Sequence, residues 1–264
     1  MVEDRVTTAL GQRSFAVRFD WGPIGAAALS EVDGCVIVID VLSFTTSVSV
    51  ANGRGTAVYP YAFGASGADA FAASNRAELA VGRREATAQR PWSLSPAALA
   101  RAPGTPRLVL PSPNGSAISA VARGTVVAGC LRNASAVAAW VLDQSYGRAG
   151  RPLAVIAAGE RWPDGSLRPA LEDLLGAGAV LSRLGAAGLE MSSESRAAIA
   201  TFDALADVAE AVRECGSARE LARVGFPDDV ELAVAHDADE HVPVLSDGAF
   251  RPQRLTTTEG AGPG

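Results

Sequence analysis

Apolar residues fall along this chain in short, unbroken runs, and the plainest is Val36-Ile37-Val38-Ile39. Four β-branched side chains in succession suit a strand covered on both faces, as in a parallel sheet with helices above and below it. Similar runs at 56–61, 107–110, 125–128 and 152–157 read as further strands. The segments between them have helical composition: 47–51, stopped by Asn52-Gly53, then 67–75, 116–123 closed by Gly124, 133–142, and 170–184. This alternation predicts an α/β fold with a mainly parallel sheet. Farther on, 193–212 reads as one helix and 217–225 as a short one, with late strands at 230–235 and 242–245 at one edge. The stretch 82–96, holding Arg83, Arg84, Arg90 and Trp92, reads as an irregular loop. No linker divides the chain, so a single domain is expected over 1–254, with a disordered polar tail at 255–264.

The first run continues into Asp40-Val41-Leu42-Ser43-Phe44-Thr45-Thr46. A carboxylate at the end of a covered strand is costly to bury unless a metal, a donor or water compensates it. In open α/β sheets, ligands sit beyond the carboxyl ends of the strands, where Asp40 is expected. The hydroxyls of Ser43, Thr45 and Thr46 would then open a helix whose free N–H groups face the same crevice. Three other segments put polar groups at strand ends: Ser112 with Asn114-Gly115-Ser116, Arg132-Asn133, and Glu160 onward to Glu172-Asp173. In one parallel sheet all four would meet at a single edge. Asn114-Gly115-Ser116 reads as an anion cradle or as an ordinary glycine turn with a helix cap.

Acids such as Glu172 and Asp173 favour a helix start by about 0.3–1 kcal/mol through the dipole. The small residues after them, Gly176-Ala177-Gly178-Ala179, would also let this helix press on the sheet and bring its acids to other strand ends. Arg83, Arg84 and Arg90 either grip a carboxylate or sulfonate through forked contacts or lie solvated. His236 and His241 lie in an acidic run that reads as a solvated loop, and Asp228-Asp229 after Pro227 reads as a helix cap.

Composition narrows the chemistry. The chain has 264 residues, 48% hydrophobic and 20% charged, and a net charge of −6. That balance speaks against nucleic acid or an acidic membrane as partner. No apolar run approaches the roughly 20 residues of a membrane span, and the N-terminal residues lack a signal-peptide pattern, so a cytoplasmic protein is expected. Every cationic side chain is arginine, which excludes a phosphate-loop lysine, a Schiff base and pyridoxal phosphate. Two histidines cannot build a multi-histidine zinc site, and the scattered Cys35, Cys130 and Cys215 read as core thiols. No G-x-G-x-x-G fingerprint supports a dinucleotide enzyme. Carboxylates, hydroxyls, amides, backbone N–H groups and arginine remain. They suit a hard cation such as Mg²⁺ acting on an anionic substrate.

In this order, Asp40-Val41-Leu42 with Thr45-Thr46, Leu110 through Asn114-Gly115-Ser116, Asn133-Ala134-Ser135-Ala136-Val137, and Leu171-Glu172-Asp173 with Ala177-Gly178 resemble the 2-phosphosulfolactate phosphatase family. Ser95-Pro96, Asp228-Asp229-Val230 and Val242-Pro243 fall in the order that family has. The resemblance implies a three-layer α/β/α fold with a mixed, mainly parallel sheet. It also implies a magnesium-dependent phosphatase hydrolysing 2-phospho-3-sulfolactate, a step towards coenzyme M. Two departures stand out: Ser43 occupies a place where arginine usually follows Asp-Val-Leu, and Val81-Gly82-Arg83-Arg84 replaces Gly-Gly-Glu-Arg.

The resulting expectation is a Mg²⁺-assisted hydrolase of a small phosphorylated 2-hydroxy acid. Asp40, Glu172 and Asp173 would carry catalysis and hold the metal; Ser43, Thr45, Thr46, Asn114, Gly115, Ser116 and Asn133 would bind substrate. Either an activated water or Asp40 would be the nucleophile. The rival readings are an impaired anion-binding homologue and another metal-dependent hydrolase on the same scaffold. Whether the chain forms a homo-oligomer is left open.

Overall fold

The computed structural model describes residues 10–62, 64 and 66–254; the tail expected at 255–264 lies outside them. The main sheet contains β1 (Val17–Trp21), β2 (Cys35–Ile39), β3 (Ala57–Ala62), β4 (Glu78–Leu79), β5 (Arg107–Ser112), β6 (Thr125–Gly129), β7 (Leu153–Ala157), β10 (Val242–Ser246) and β11 (Ala249–Gln253). Their spatial order is β1-β7-β2-β6-β10-β11-β3-β5-β4, and β8 (Glu160–Arg161) pairs with β9 (Leu167–Arg168) in a separate short hairpin.

Every residue of β2 is buried, and its side chains divide between two cores. Cys35, Ile37 and Ile39 face one, Val36 and Val38 the other. Burying a Val or Ile side chain is worth about 1.5–3 kcal/mol, so this strand holds a helix layer against each face. On one side lie α1 (Gly22–Leu29), α2 (Phe44–Gly53), α4 (Pro96–Arg101) and α5 (Gly115–Val121). On the other lie α6 (Ala134–Asp143), α7 (Leu171–Ala186), α8 (Ser193–Asp203), α9 (Val208–Glu214), α10 (Gly216–Arg223) and α11 (Pro227–Ala233). A smaller cluster packs α3 (Ala68–Asn75) on β3 and β5. The three layers are those expected.

The sheet is mixed in a way the sequence pattern did not predict. β1, β7, β2 and β6 are parallel to one another, and so are β3, β5 and β4. The β10–β11 hairpin joins the two blocks through antiparallel pairings, so the blocks run in opposite senses. The late strands therefore sit mid-sheet, not at an edge, and there is no single edge where all strand ends emerge.

Two expected elements are corrected. The strand expected at 230–235 is a helix: Pro227 opens α11 there, and Val230, Ala233 and Val234 bury one helical stripe. Acids in its first turn suit the helix dipole. The single helix expected over 193–212 is two, because the Asp207 side chain accepts from Glu210 N and starts α9 afresh. Strand β1 escaped detection because Arg18 and Asp20 interrupt its apolar run.

Candidate active site

Asp40 sits just past β2 and is 6% exposed. Its Oδ1 accepts Phe44 N–H at 3.0 Å, at the start of α2, and its Oδ2 accepts Gly115 N–H at 2.8 Å, at the start of α5. β2 and β5 belong to blocks of opposite sense, yet the turn after β5 lies on the end of β2. The 2.8 Å bond from Gly115 N–H to Asp40 fixes that juxtaposition across the sheet. Burial pushes the Asp40 carboxyl up; its two N–H donors and the Arg83 charge pull it down.

Asp173, in the first turn of α7, does not cap its own helix. Its Oδ1 accepts Val41 N–H at 2.7 Å and its Oδ2 accepts Gly159 N–H at 2.8 Å, clamping the segment after β2 to the one after β7. Gly176 permits this approach: a β-carbon there would lie 2.9 Å from Ile39 Cγ2 and 2.7 Å from Val41 Cγ2. Of the two glycines expected to press α7 on the sheet, Gly176 does so, whereas Gly178 admits Ala198 and Phe202 of α8. Burial, Glu172 and Asp40 push Asp173 well above the usual carboxylate range. Glu172, also buried, accepts from Cys215 Sγ at 3.2 Å. Burial and the Glu172 charge raise that thiol to about 12, so it stays protonated and can donate.

A fourth carboxylate completes the cluster. Glu160, at the start of β8, takes Asn114 Nδ2–H at 3.2 Å. Burial and then Asp40 raise it to about 7. Glu160 opens its segment without a signal of its own, because a polar two-residue strand has no period.

The other expected binding residues divide into two groups. Gly115 and Asn114 meet Asp40 and Glu160 directly, and the Ser43 hydroxyl accepts from Arg83 Nη2 at 2.6 Å. Thr45, Thr46, Ser116 and Asn133 are buried and direct polar atoms at the backbone. Thr45 Oγ1 donates to Asp40 O at 2.7 Å, Thr46 Oγ1 to Val41 O at 2.8 Å and Ser116 Oγ to Leu110 O at 3.4 Å. Asn133 accepts from Cys130 N and donates to Ala128 O and His241 O, apart from the acidic cluster.

Beside the cluster lies a cavity of about 1130 Å³, its wall including five arginines, Arg83, Arg84, Arg90, Arg161 and Arg168, against three acids, Glu85, Glu160 and Glu220. The arginine excess on this wall favours anions even though the chain carries net negative charge. Arg83, Arg84 and Arg90 therefore belong to one site. Cys35, Cys130 and Cys215 are buried free thiols, as expected. No helix among the described residues is long and apolar enough to cross a membrane.

Four buried or half-buried carboxylates in one cluster suit a hard cation by donor chemistry and by charge. Each oxygen of Asp40 and Asp173 keeps a lone pair beyond the one given to its N–H. Among the described residues, however, no three acidic, histidine or cysteine side chains are already arranged around a common metal position. The acids should make stability depend on both pH and cation. Glu160 binds its proton more tightly folded than unfolded, so its stabilisation, full below about 4.5, is lost as pH rises through about 7. Asp40 and Asp173, also raised, act in the same sense. With chelator the melting temperature is expected to fall between pH 5 and pH 8, and Mg²⁺ should restore more at pH 8 than at pH 5. Equal Mg²⁺ effects at both pH values would contradict cation binding by this cluster.

The sequence profile of the family described as 2-phosphosulpholactate phosphatase matches residues 25–248. A relative from Methanothermobacter thermautotrophicus, named 2-phosphosulfolactate phosphatase, is 28% identical over 224 residues, which are 83% of this chain and 89% of the relative. The matched span begins within α1 and ends after β10, and so takes in Asp40, Gly115, Glu160, Glu172 and Asp173. The chain belongs to the 2-phosphosulpholactate phosphatase family, a family of phosphoric monoester hydrolases.

Proposed function

We propose that this protein is a cytoplasmic, Mg²⁺-dependent phosphatase of a small phosphorylated 2-hydroxy acid, 2-phospho-3-sulfolactate or a related anion. The observation that carries the reading is the juxtaposition of the Asp40–Glu160–Glu172–Asp173 cluster with the arginine-lined cavity. On this reading the cavity attracts the anion, and Glu160 on its wall joins it to the other three acids, where the phosphoryl group would end.

Asp40, Glu172 and Asp173 are the residues that would hold Mg²⁺, which when bound supplies charge neutralisation to the phosphoryl oxygens. Water is the nucleophile we favour over Asp40, because both Asp40 oxygens already accept backbone N–H bonds and the residue is buried. Glu160, raised to about 7 and facing the cavity, has the affinity for a proton that general acid–base chemistry needs near neutral pH. It takes the proton of the attacking water and returns it to the ester oxygen as the phosphorus–oxygen bond breaks, so the hydroxy acid leaves as its alcohol. Asn114 Nδ2–H keeps the Glu160 carboxylate oriented.

A panel of phosphomonoesters assayed for inorganic phosphate checks the substrate. Phosphorylated 2-hydroxy acids bearing a second anionic group are expected to turn over faster than neutral alkyl phosphates. Equal rates for both classes would remove the arginine-lined cavity from the specificity argument.

A further inference from the structure

Among the described residues, Arg83 is the cavity arginine that reaches the end of β2. It lies in a short 3₁₀ turn, Arg83–Glu85, and makes two directed bonds. Its Nη2 donates to Ser43 Oγ at 2.6 Å, and its Nε donates to Asp229 Oδ2 at 3.1 Å. Asp229 is fully buried and held from its other oxygen, where Oδ1 accepts Ser95 Oγ–H at 2.5 Å and Ala97 N–H at 3.1 Å. Apart from its charge in the first turn of α11, Asp229 makes its side-chain bonds to other elements, and its bond from Ala97 N–H caps the start of α4. It joins α11, the start of α4 and the Arg83 guanidinium. Phe226 packs beneath the guanidinium, 5.9 Å from ring centroid to Cζ.

A guanidinium has five N–H donors. Two are spent on Ser43 and Asp229, and among the described residues nothing takes the other three. The cavity wall they belong to also carries Glu160, and the Arg83 charge acts on Asp40. A phosphoryl dianion entering an acidic cluster needs a cation that is already aimed and cannot swing away. Ser43 is short enough to leave room for one. An arginine is absent at position 43, and a guanidinium arrives there from position 83 instead.

We infer that Arg83, fixed by Asp229, grips the phosphoryl oxygens of the substrate beside Asp40. This deepens the phosphatase reading and rests on it. Arg83 is the group that touches substrate, and Asp229 is a positioning residue acting through it.

The test uses the full chain with Mg²⁺ and compares Arg83→Gln, Arg83→Lys and Asp229→Asn, with Arg213→Gln at a remote exposed ion pair as control. Three quantities are read: phosphate release, affinity for inorganic phosphate by calorimetry, and melting temperature. Arg83→Gln should weaken phosphate affinity about 10- to 100-fold, the value of one or two charge-assisted bonds, and lower kcat/KM at least as much. Arg83→Lys should recover part of both, keeping the charge but losing the fork. Asp229→Asn can keep the Ser95 and Ala97 contacts while turning an N–H₂ group on Arg83. It should raise KM and weaken phosphate binding with little change in kcat.

A merely structural ion pair would lower the melting temperature and leave phosphate affinity of the folded protein unchanged, which overturns the inference. A wild-type chain that binds phosphate but releases none from any ester refutes the phosphatase reading, and the Arg83→Gln affinity then still decides the phosphoryl grip. A wild-type chain that neither binds nor releases phosphate overturns both.

Discussion

Asp40→Asn is expected to lower phosphate release about 10²–10⁴-fold, the range seen when a group acting on the reacting atoms is removed. The substitution is nearly isosteric, so the fold should survive. Asn Oδ1 can still accept from Phe44 N, but its amide N–H₂ then faces Gly115 N–H, donor against donor. Leaving a buried N–H unpaired costs about 1–3 kcal/mol. Removing one charge from four crowded carboxyls offsets part of this, since Glu160 and Asp173 are both raised by Asp40. The melting temperature in chelator should therefore move little, while Mg²⁺ stabilises the variant less than the wild type. Steady-state phosphate release beside melts with and without Mg²⁺ reads all three effects. A fully active Asp40→Asn enzyme would remove Asp40 from the chemistry.

The second large effect is expected at Gly115. A β-carbon there would lie 2.3 Å from Phe44 Cδ1 and 2.9 Å from Asp40 Oδ2. Neither neighbour can yield easily. Phe44 is fully buried and packs edge-on against Phe250 with centroids 6.1 Å apart, and the Asp40 carboxylate is pinned from both sides. The first turn of α5 must retreat instead, breaking the 2.8 Å bond from Gly115 N to Asp40. Gly115→Ala should cost about 1–3 kcal/mol of stability, as overpacking does, and remove most activity with it. Gly216→Ala, where a β-carbon meets nothing within 4 Å, should change neither measurably. Denaturant unfolding of the two variants beside the wild type separates the cases; equal stabilities would refute the close approach at Gly115.

Much of this arrangement is readable in the chain before any coordinates. The run Val36-Ile37-Val38-Ile39 ending in Asp40 marks both a strand buried on its two faces and the candidate site, because covered strands are continuously apolar and a carboxylate there stands out. Gly176 in α7 announces the close approach that delivers Glu172 and Asp173. The reversed sense of β3, β5 and β4 is not readable, since it depends on where the β10–β11 hairpin inserts, a long-range pairing without local signature. Arg83 and Asp229, 146 residues apart, lack a local signature for the same reason. The hydroxyls of Thr45 and Thr46 are held in a way their position does not announce. Position next to Asp40 suggested substrate contact, yet a buried hydroxyl there finds a carbonyl of its own turn first.

One assay bears on the whole reading: inorganic phosphate released from 2-phospho-3-sulfolactate by the full chain, first with Mg²⁺ and then with chelator. Release that requires Mg²⁺, stops in chelator and returns when the metal is restored is the expected result. A folded, Mg²⁺-supplied protein that releases no phosphate from this ester or any related 2-hydroxy acid ester would contradict the phosphatase assignment.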